Sequence, residues 1–238
     1  MKKNAFITFD IDWASDDVLN GTLDIMADFG VGATFFATHQ TPVLDRIRKN
    51  NLMELGIHPN FNKALSGEES KSYKQIIDEM LLLVPDAVSV RAHALTQNSL
   101  ISHEYKRRGL LYDLNVYIPL SAKMPIYPYR SPSGPLIVPF FFEDDIYFFS
   151  EEEKNPVEAY YNPKPECLKV FNFHPIHVYL NSDSPGLYEQ GKTVSNDTDK
   201  LNKLKNTTSF GTMDFLVETI EYGLKHDYKF NTINRVEM

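Results

Sequence analysis

Asn4-Ala5-Phe6-Ile7-Thr8-Phe9-Asp10-Ile11-Asp12 is the stretch on which the fold of this chain turns. Residues 4–9 form a near-continuous apolar run that ends in acids, the pattern of a short buried strand. Asp10 and Asp12 alternate, which on a strand would aim both carboxylates one way. The strand is ending here, so their directions can differ. Carboxylates held close together lose their protons in two separated steps, so one suits a metal and the other a base. A loop approaching a helix with two solvated acids would carry the same letters, and the pair alone names no reaction.

Beyond the acids, Ser15 is placed as an N-cap, and Asp16 and Asp17 suit the positive end of a helix dipole. Val18, Leu19, Leu23 and Met26 recur at helical spacing, and Gly30 supplies the stop. The cycle then repeats. A strand is predicted at 31–38, a helix around 42–50, a strand at 53–57 and a helix near 69–83. A strand at 87–91, a helix from about Ser99 to Arg108 and a strand over roughly 110–118 complete the first half. Repeated βα units imply parallel strands joined by crossover helices. Asp10 and Asp12, His58, Arg91 and His93 all fall at strand C-terminal ends, the edge where α/β active sites gather. His39 follows the second strand in the same way and is given no role.

The second half reads differently. Residues 119–135, rich in Pro, Tyr and Ser, suggest a long ordered loop. Leu136 to Phe142 and Ile146 to Phe149 read as strands flanking Glu143-Asp144-Asp145, and 167–173 as a buried strand leading into His174. The polar stretch 181–211 reads as a mobile excursion. Thr212 to Leu224 is a final amphipathic helix and Tyr228 to Ile233 a last short strand. There is no internal repeat, heptad run or low-complexity tract.

At 238 residues, the chain has the length and apolar content for one substantial core. A net charge of −8 argues against a nucleic-acid or anionic-membrane surface, and a neutral or locally cationic small substrate suits it better. The single cysteine, Cys167, excludes an internal disulfide and a cysteine-based zinc cluster; its apolar neighbours make it a packed strand residue. The apolar run after Met-Lys-Lys-Asn is too short for an export signal, and no segment has the apolar length of a membrane span. A soluble, cytoplasmic protein is expected, with oligomeric state not readable.

Several further residues have the chemistry of a site. His58 stands just past a buried strand in Gly56-Ile57-His58-Pro59-Asn60-Phe61-Asn62, and a helical turn opened by Pro59 would bring His58 and Asn62 towards one face. Arg91 is a candidate carboxylate partner and His93 a candidate metal ligand. His174 ends the Val-Phe-Asn-Phe run, and Asp144 or Asp145 could hold it in one tautomer. Each also has a plainer reading: a packed histidine, a solvated arginine, a polar turn.

In sequence order these motifs resemble the polysaccharide deacetylases, the NodB-homology group or carbohydrate esterase family 4. Thr8-Phe9-Asp10-Ile11-Asp12 resembles the family's T-F-D-D, and Ala33-Thr34-Phe35-Phe36 its A-T-F-F strand. His58 to Asn62 stands where the family has H-[ST]-x-x-H, Arg91 where it has R-x-P-Y, and His174-Pro175 resembles its late L-x-H. The match spans nearly the whole chain and looks closest to variants found with lipopolysaccharide and capsule genes, which share the H-P-N-F stretch. The resemblance implies a single-domain, distorted (β/α) barrel and a metal-dependent N-deacetylase of an N-acetylated sugar. It further implies Asp10 as general base, Asp12 and His58 as ligands of a divalent metal such as Zn2+, His174 as general acid, and Arg91 as the partner of Asp10. Asp145 is taken as the carboxylate that orients His174.

Three positions depart from the family pattern. Asn62 replaces its second metal histidine and is a ligand that zinc rarely chooses, so either Asn62 serves, or His93 completes the site, or the metal is harder than zinc. Ile11 separates the two aspartates. His93 and Ala94 replace the proline and tyrosine of the arginine motif. Two rival readings are a haloacid-dehalogenase-like phosphatase, which also opens on D-x-D, and a non-catalytic sugar binder on the same fold.

Overall fold

The computed structural model describes residues 3–132, 134–150, 154–164 and 166–237. The first half alternates strands and helices: β1 (Asn4–Asp10), α1 (Asp16–Phe29), β2 (Ala33–Ala37), α2 (Val43–Arg48), β3 (Met53–Ile57), α3 (Asn62–Ser66), α4 (Tyr73–Leu83), β4 (Ser89–Val90), α5 (Ser99–Arg107) and β5 (Tyr112–Asp113). The second half continues with β6 (Tyr129–Arg130), β7 (Leu136–Ile137), β8 (Phe142–Glu143), α6 (Asp144–Phe149), α7 (Val157–Tyr161) and β9 (Val170–Phe173). It ends with α8 (Pro175–Leu180), α9 (Pro185–Thr193), α10 (Thr198–Leu204), α11 (Thr212–Lys225) and β10 (Lys229–Phe230).

The strands pair in the order β6-β7-β5-β4-β3-β2-β1-β9-β8, all parallel except the β6–β7 pair. The two ends of this order belong to one run of chain. Residues 136–140 pair with β5 and with Tyr117, while Phe142–Glu143 pair with β9. That run joins the edges of the sheet into the distorted barrel implied by the family resemblance.

Alternation along the strands sorts side chains between the inside of the ring and the helices around it. Inside, polar groups in register bond one another: Thr8 Oγ1 donates to Asn172 Oδ1 at 3.0 Å and Thr34 Oγ1 to Glu54 at 2.9 Å. Outside, the aromatic positions pack under the helices. Phe9 stacks on Phe35 at 4.7 Å, and Phe142 stacks on Phe215 of α11 at 4.3 Å. The chain end closes the N-terminal mouth, with Ile233 N–H on Thr34 Oγ1 and Asn234 N–H on Glu54, both at 2.9 Å. Gly32 permits this closure, since a Cβ there would lie 2.9 Å from the Phe230 carbonyl oxygen.

Helix α1 buries the predicted stripe of Val18, Leu19, Leu23 and Met26, and Gly30 ends it in the left-handed region with φ 63°. Ser15 stands at the N-cap with extended backbone, but its buried hydroxyl makes no capping bond. Four other expectations are corrected. Residues 146–149 belong to helix α6, because Asp144 and Asp145 each accept the next backbone N–H and so start a helical turn. The stretch 181–211 holds helices α9 and α10, anchored by fully buried Leu201. The strand at 110–118 is reduced to β5 and an isolated bridge at Tyr117, and the final strand to two residues. Cys167 is buried and unpaired. Among the described residues, no helix is long and apolar enough to cross a membrane.

Candidate metal centre and active site

Parallel strands deliver their C-terminal ends to one mouth of the barrel, so the residues that follow them converge there. Arg91, just past β4, enters the ring and is fully buried. Its Nη1 lies 3.1 Å from Asp10 Oδ1 and also reaches Asn172 Oδ1, while Nη2 donates to Thr8 Oγ1 at 2.9 Å. The guanidinium is sandwiched between the rings of Phe36 and Phe140, at 4.7 and 4.6 Å. Asn172 Nδ2 donates to Asp10 Oδ2 at 2.9 Å and to Glu143 Oε1 at 3.2 Å. Burial alone would raise the Asp10 pKa; the Arg91 charge, with His58, outweighs it and holds the carboxyl well below the usual range. Glu143 behaves oppositely. Burial, then the neighbouring Asp145, push it up to about 8.

Removing the arginine would strand a buried carboxylate. Arg91→Met is expected to cost about 3–5 kcal/mol of folding stability. Chemical denaturation measures this, and a loss below about 1 kcal/mol would show that the Asp10–Arg91 pair does not behave as a buried ion pair.

Next to this pair, donor atoms of Asp12, His58 and His93 lie within 4.8 Å of one another. Asp12 Oδ2 is 3.0 Å from His58 Nε2 and 3.2 Å from His93 Nδ1. His58 Nδ1 is 3.3 Å from Asp10 Oδ1. Neither ring nitrogen of buried His58 makes a hydrogen bond of good geometry, close as these oxygens are. Two imidazoles and a carboxylate, with orphaned nitrogens between them, are a donor set that fits a divalent ion such as zinc. Burial would lower the His58 pKa, but the charges of Asp10 and Asp12 carry it up to about 9.

His174 also adjoins Asp10, and donor atoms of Asp10, Glu143 and His174 lie within 4.8 Å of one another. Its Nδ1 is 2.7 Å from Asp144 Oδ1, and its backbone N–H donates to Asp144 Oδ2 at 2.7 Å. Asp144 is fully buried. Its charge, added to those of Asp145 and Asp10, overcomes the opposing effect of burial and raises the His174 pKa well above its ordinary value. The shift favours the protonated ring, with Nδ1 held on Asp144.

The structure thus brings together Asp10, Asp12, His58, Arg91, His93 and His174. The other two candidates do not take the predicted places. Asp145 accepts its own helix's Ile146 N–H, because β8 hands Asp144, and not Asp145, to the barrel mouth. Asn62 is exposed at the first position of α3, and Asn60 is the residue that lines the cleft over Asp12 and His58. Two residues that the sequence reading passed over, Asn172 and Glu143, are part of the same network. An asparagine at an inward position between two buried phenylalanines was the available signal.

A family profile for WbmS-like polysaccharide deacetylases matches residues 7–192. Among solved structures, a Bordetella bronchiseptica protein described as a polysaccharide deacetylase involved in O-antigen biosynthesis is 39% identical, with a TM-score of 0.84 over 93% of this chain and 91% of that one. The peptidoglycan deacetylase PdaC of Bacillus subtilis shares 14% identity at a TM-score of 0.54, covering 99% and 90%. A deacetylase-like protein of Mycobacterium smegmatis shares 15% at 0.52, covering 100% and 96%; these two likenesses concern the fold alone. No curated protein sequence gives a significant match. With its matched motifs in order around one barrel mouth, the chain belongs to the WbmS-like family of polysaccharide deacetylases.

Proposed function

We propose that this protein is a divalent-metal-dependent N-deacetylase, acting on an N-acetylated amino sugar of a surface-polysaccharide precursor. The observation that carries this reading is the three-part layout of the mouth. An orphaned His58 with Asp12 and His93 lies beside the Asp10–Arg91 pair, and His174, bonded to Asp144, lies within reach of Asp10 and Glu143. Similarity to a protein described as acting in O-antigen biosynthesis supports the precursor, and a buried, unpaired Cys167 suits a cytoplasmic step.

Asp12, His58 and His93 would hold the ion, which when bound polarises an acyl carbonyl and makes water more acidic. Asp10 takes the proton of the attacking water on its carboxylate. Arg91 and Asn172 contact its two oxygens and fix its plane. His174 gives a proton from Nε2 to the departing amine while Asp144 holds Nδ1. One C–O bond forms and the amide C–N bond breaks, leaving acetate and a free amino sugar.

Acetate release from a panel of N-acetylated sugars tests the reading. Protein stripped with a chelator is expected to release none, and added Zn2+ is expected to restore release. No acetate with Zn2+, Co2+ or Mn2+ would favour the sugar-binding alternative. Phosphate release with Mg2+ alone would favour the phosphatase.

A further inference from the structure

Trp13, the residue after Asp12, has a conformation and an exposure that neither the core nor the acid–base groups explain. It is the chain's single tryptophan, and it is 54% exposed. Its backbone sits at φ 59°, in the left-handed region, where a bulky side chain is an outlier. A strained, solvated indole next to the Asp12, His58 and His93 donor cluster is the kind of backbone outlier that gathers at functional sites.

Its surroundings hold the ring without covering it. Lys192 of α9 lies 5.1 Å from the Trp13 ring and 5.2 Å from the Tyr188 ring, and its carboxylate neighbour Glu189 is 3.9 Å away. Trp13 borders the 390 Å³ cleft that also contains Asp12, His58 and Asn60. On its other side it borders a second cleft, with Ser195 and Asn196. Tyr188 packs on His177, ring centroids 4.5 Å apart, and His177 in turn meets His174 at 5.4 Å. Burial, then Asp12, push the Tyr188 phenol up to about 12, so it stays a neutral hydrogen-bond donor.

We propose that Trp13 is the stacking platform for the substrate's pyranose ring, clamped by Lys192, so that α9 forms part of the sugar-recognition site. The apolar C–H face of a sugar ring matches the negative face of an indole, and the ring's hydroxyls then meet the polar rim. The inference rests on the deacetylase reading for its substrate class and on Trp13's own geometry for its location.

Because Trp13 is the only tryptophan, its fluorescence reports this position alone. In the full-length, zinc-loaded protein with Asp10→Asn, which leaves the sugar intact, the probes are N-acetylglucosamine, N-acetylgalactosamine and di-N-acetylchitobiose. At least one is expected to shift the emission saturably, while sodium acetate does not. In the otherwise unmutated enzyme, Trp13→Ala is expected to raise KM about tenfold with kcat changed less than about threefold. Trp13→Gly relieves the positive φ, so its Tm is expected to be equal or higher while sugar affinity by calorimetry falls about tenfold. A merely structural tryptophan would give the opposite Tm result. No emission change with any of the three sugars, or a Trp13→Ala KM within twofold, overturns the platform even if acetate is released. A saturable shift without acetate release from the unmutated enzyme keeps the platform and overturns the deacetylase reading.

Discussion

Asp10→Asn is expected to lower kcat for acetate release by about 10³-fold while leaving the bound metal in place. Asparagine keeps the shape of the side chain and an oxygen for Arg91 Nη1, now 3.1 Å away, but it cannot carry away a proton. Metal content should persist because the ion's proposed ligands are Asp12, His58 and His93, with Asp10 on the Arg91 side of the cluster. Some stability will be lost, since Arg91 is fully buried and would keep its charge. Its remaining contacts, Thr8, Asn172 and the rings of Phe36 and Phe140, limit that loss. Single-turnover kinetics on metal-quantified protein separate the two effects. Activity within tenfold of the unmutated enzyme would remove Asp10 from the role of base. Loss of the ion would instead make it a ligand.

His58→Gln is expected to abolish stoichiometric zinc binding and, with it, activity. His58 contributes one of three donors and is the only one of them fully enclosed between the carboxylates of Asp10 and Asp12. Its pKa near 9 also sets a pH dependence. In the metal-free protein the ring is protonated at neutral pH, so the ion must displace that proton. Affinity should therefore rise with pH, by roughly tenfold per unit, and level off as pH passes about 9. Calorimetry in two buffers of different ionisation enthalpy counts the proton released, with about one expected at neutral pH. An unchanged zinc affinity in His58→Gln would rule out the proposed ligand set. Affinity that is flat between pH 6 and 8 would show that His58 is already neutral in the metal-free protein.

Both experiments depend on residues that are separable in the sequence to very different degrees. The βα alternation was legible because local apolar runs, caps and glycines set it: the run 4–9 is β1, Gly30 does end α1, and the stripe from Val18 to Met26 is the buried face. Strand ends were legible for the same reason, and this placed Asp10, Asp12, His58, Arg91 and His174 at one edge. Propensity misled where tertiary contacts rule. The apolar Ile146–Phe149 stretch is helical because Asp144 and Asp145 begin a turn, and Tyr147 and Phe148 pack against Phe215 of α11. The polar 181–211 stretch is ordered because Leu201 and neighbouring helices bury part of it.

What the chain by itself determined, then, is which residues end the strands and the parallel α/β class they imply. The partners within the site were decided only by closure of the barrel. Arg91 meets Asp10 across 81 residues and Asn172 meets Asp10 across 162, separations over which no periodicity carries information. Whether Asp144 or Asp145 faces His174 depends on a single residue of register at the end of β8. Whether His93 or Asn62 stands by Asp12 depends on the turns after β4 and β3, with His93 placed 3.2 Å from Asp12 and Asn62 left exposed on α3. One residue of slip reverses the face of a side chain, so these choices belong to the assembled ring and to no local segment of it.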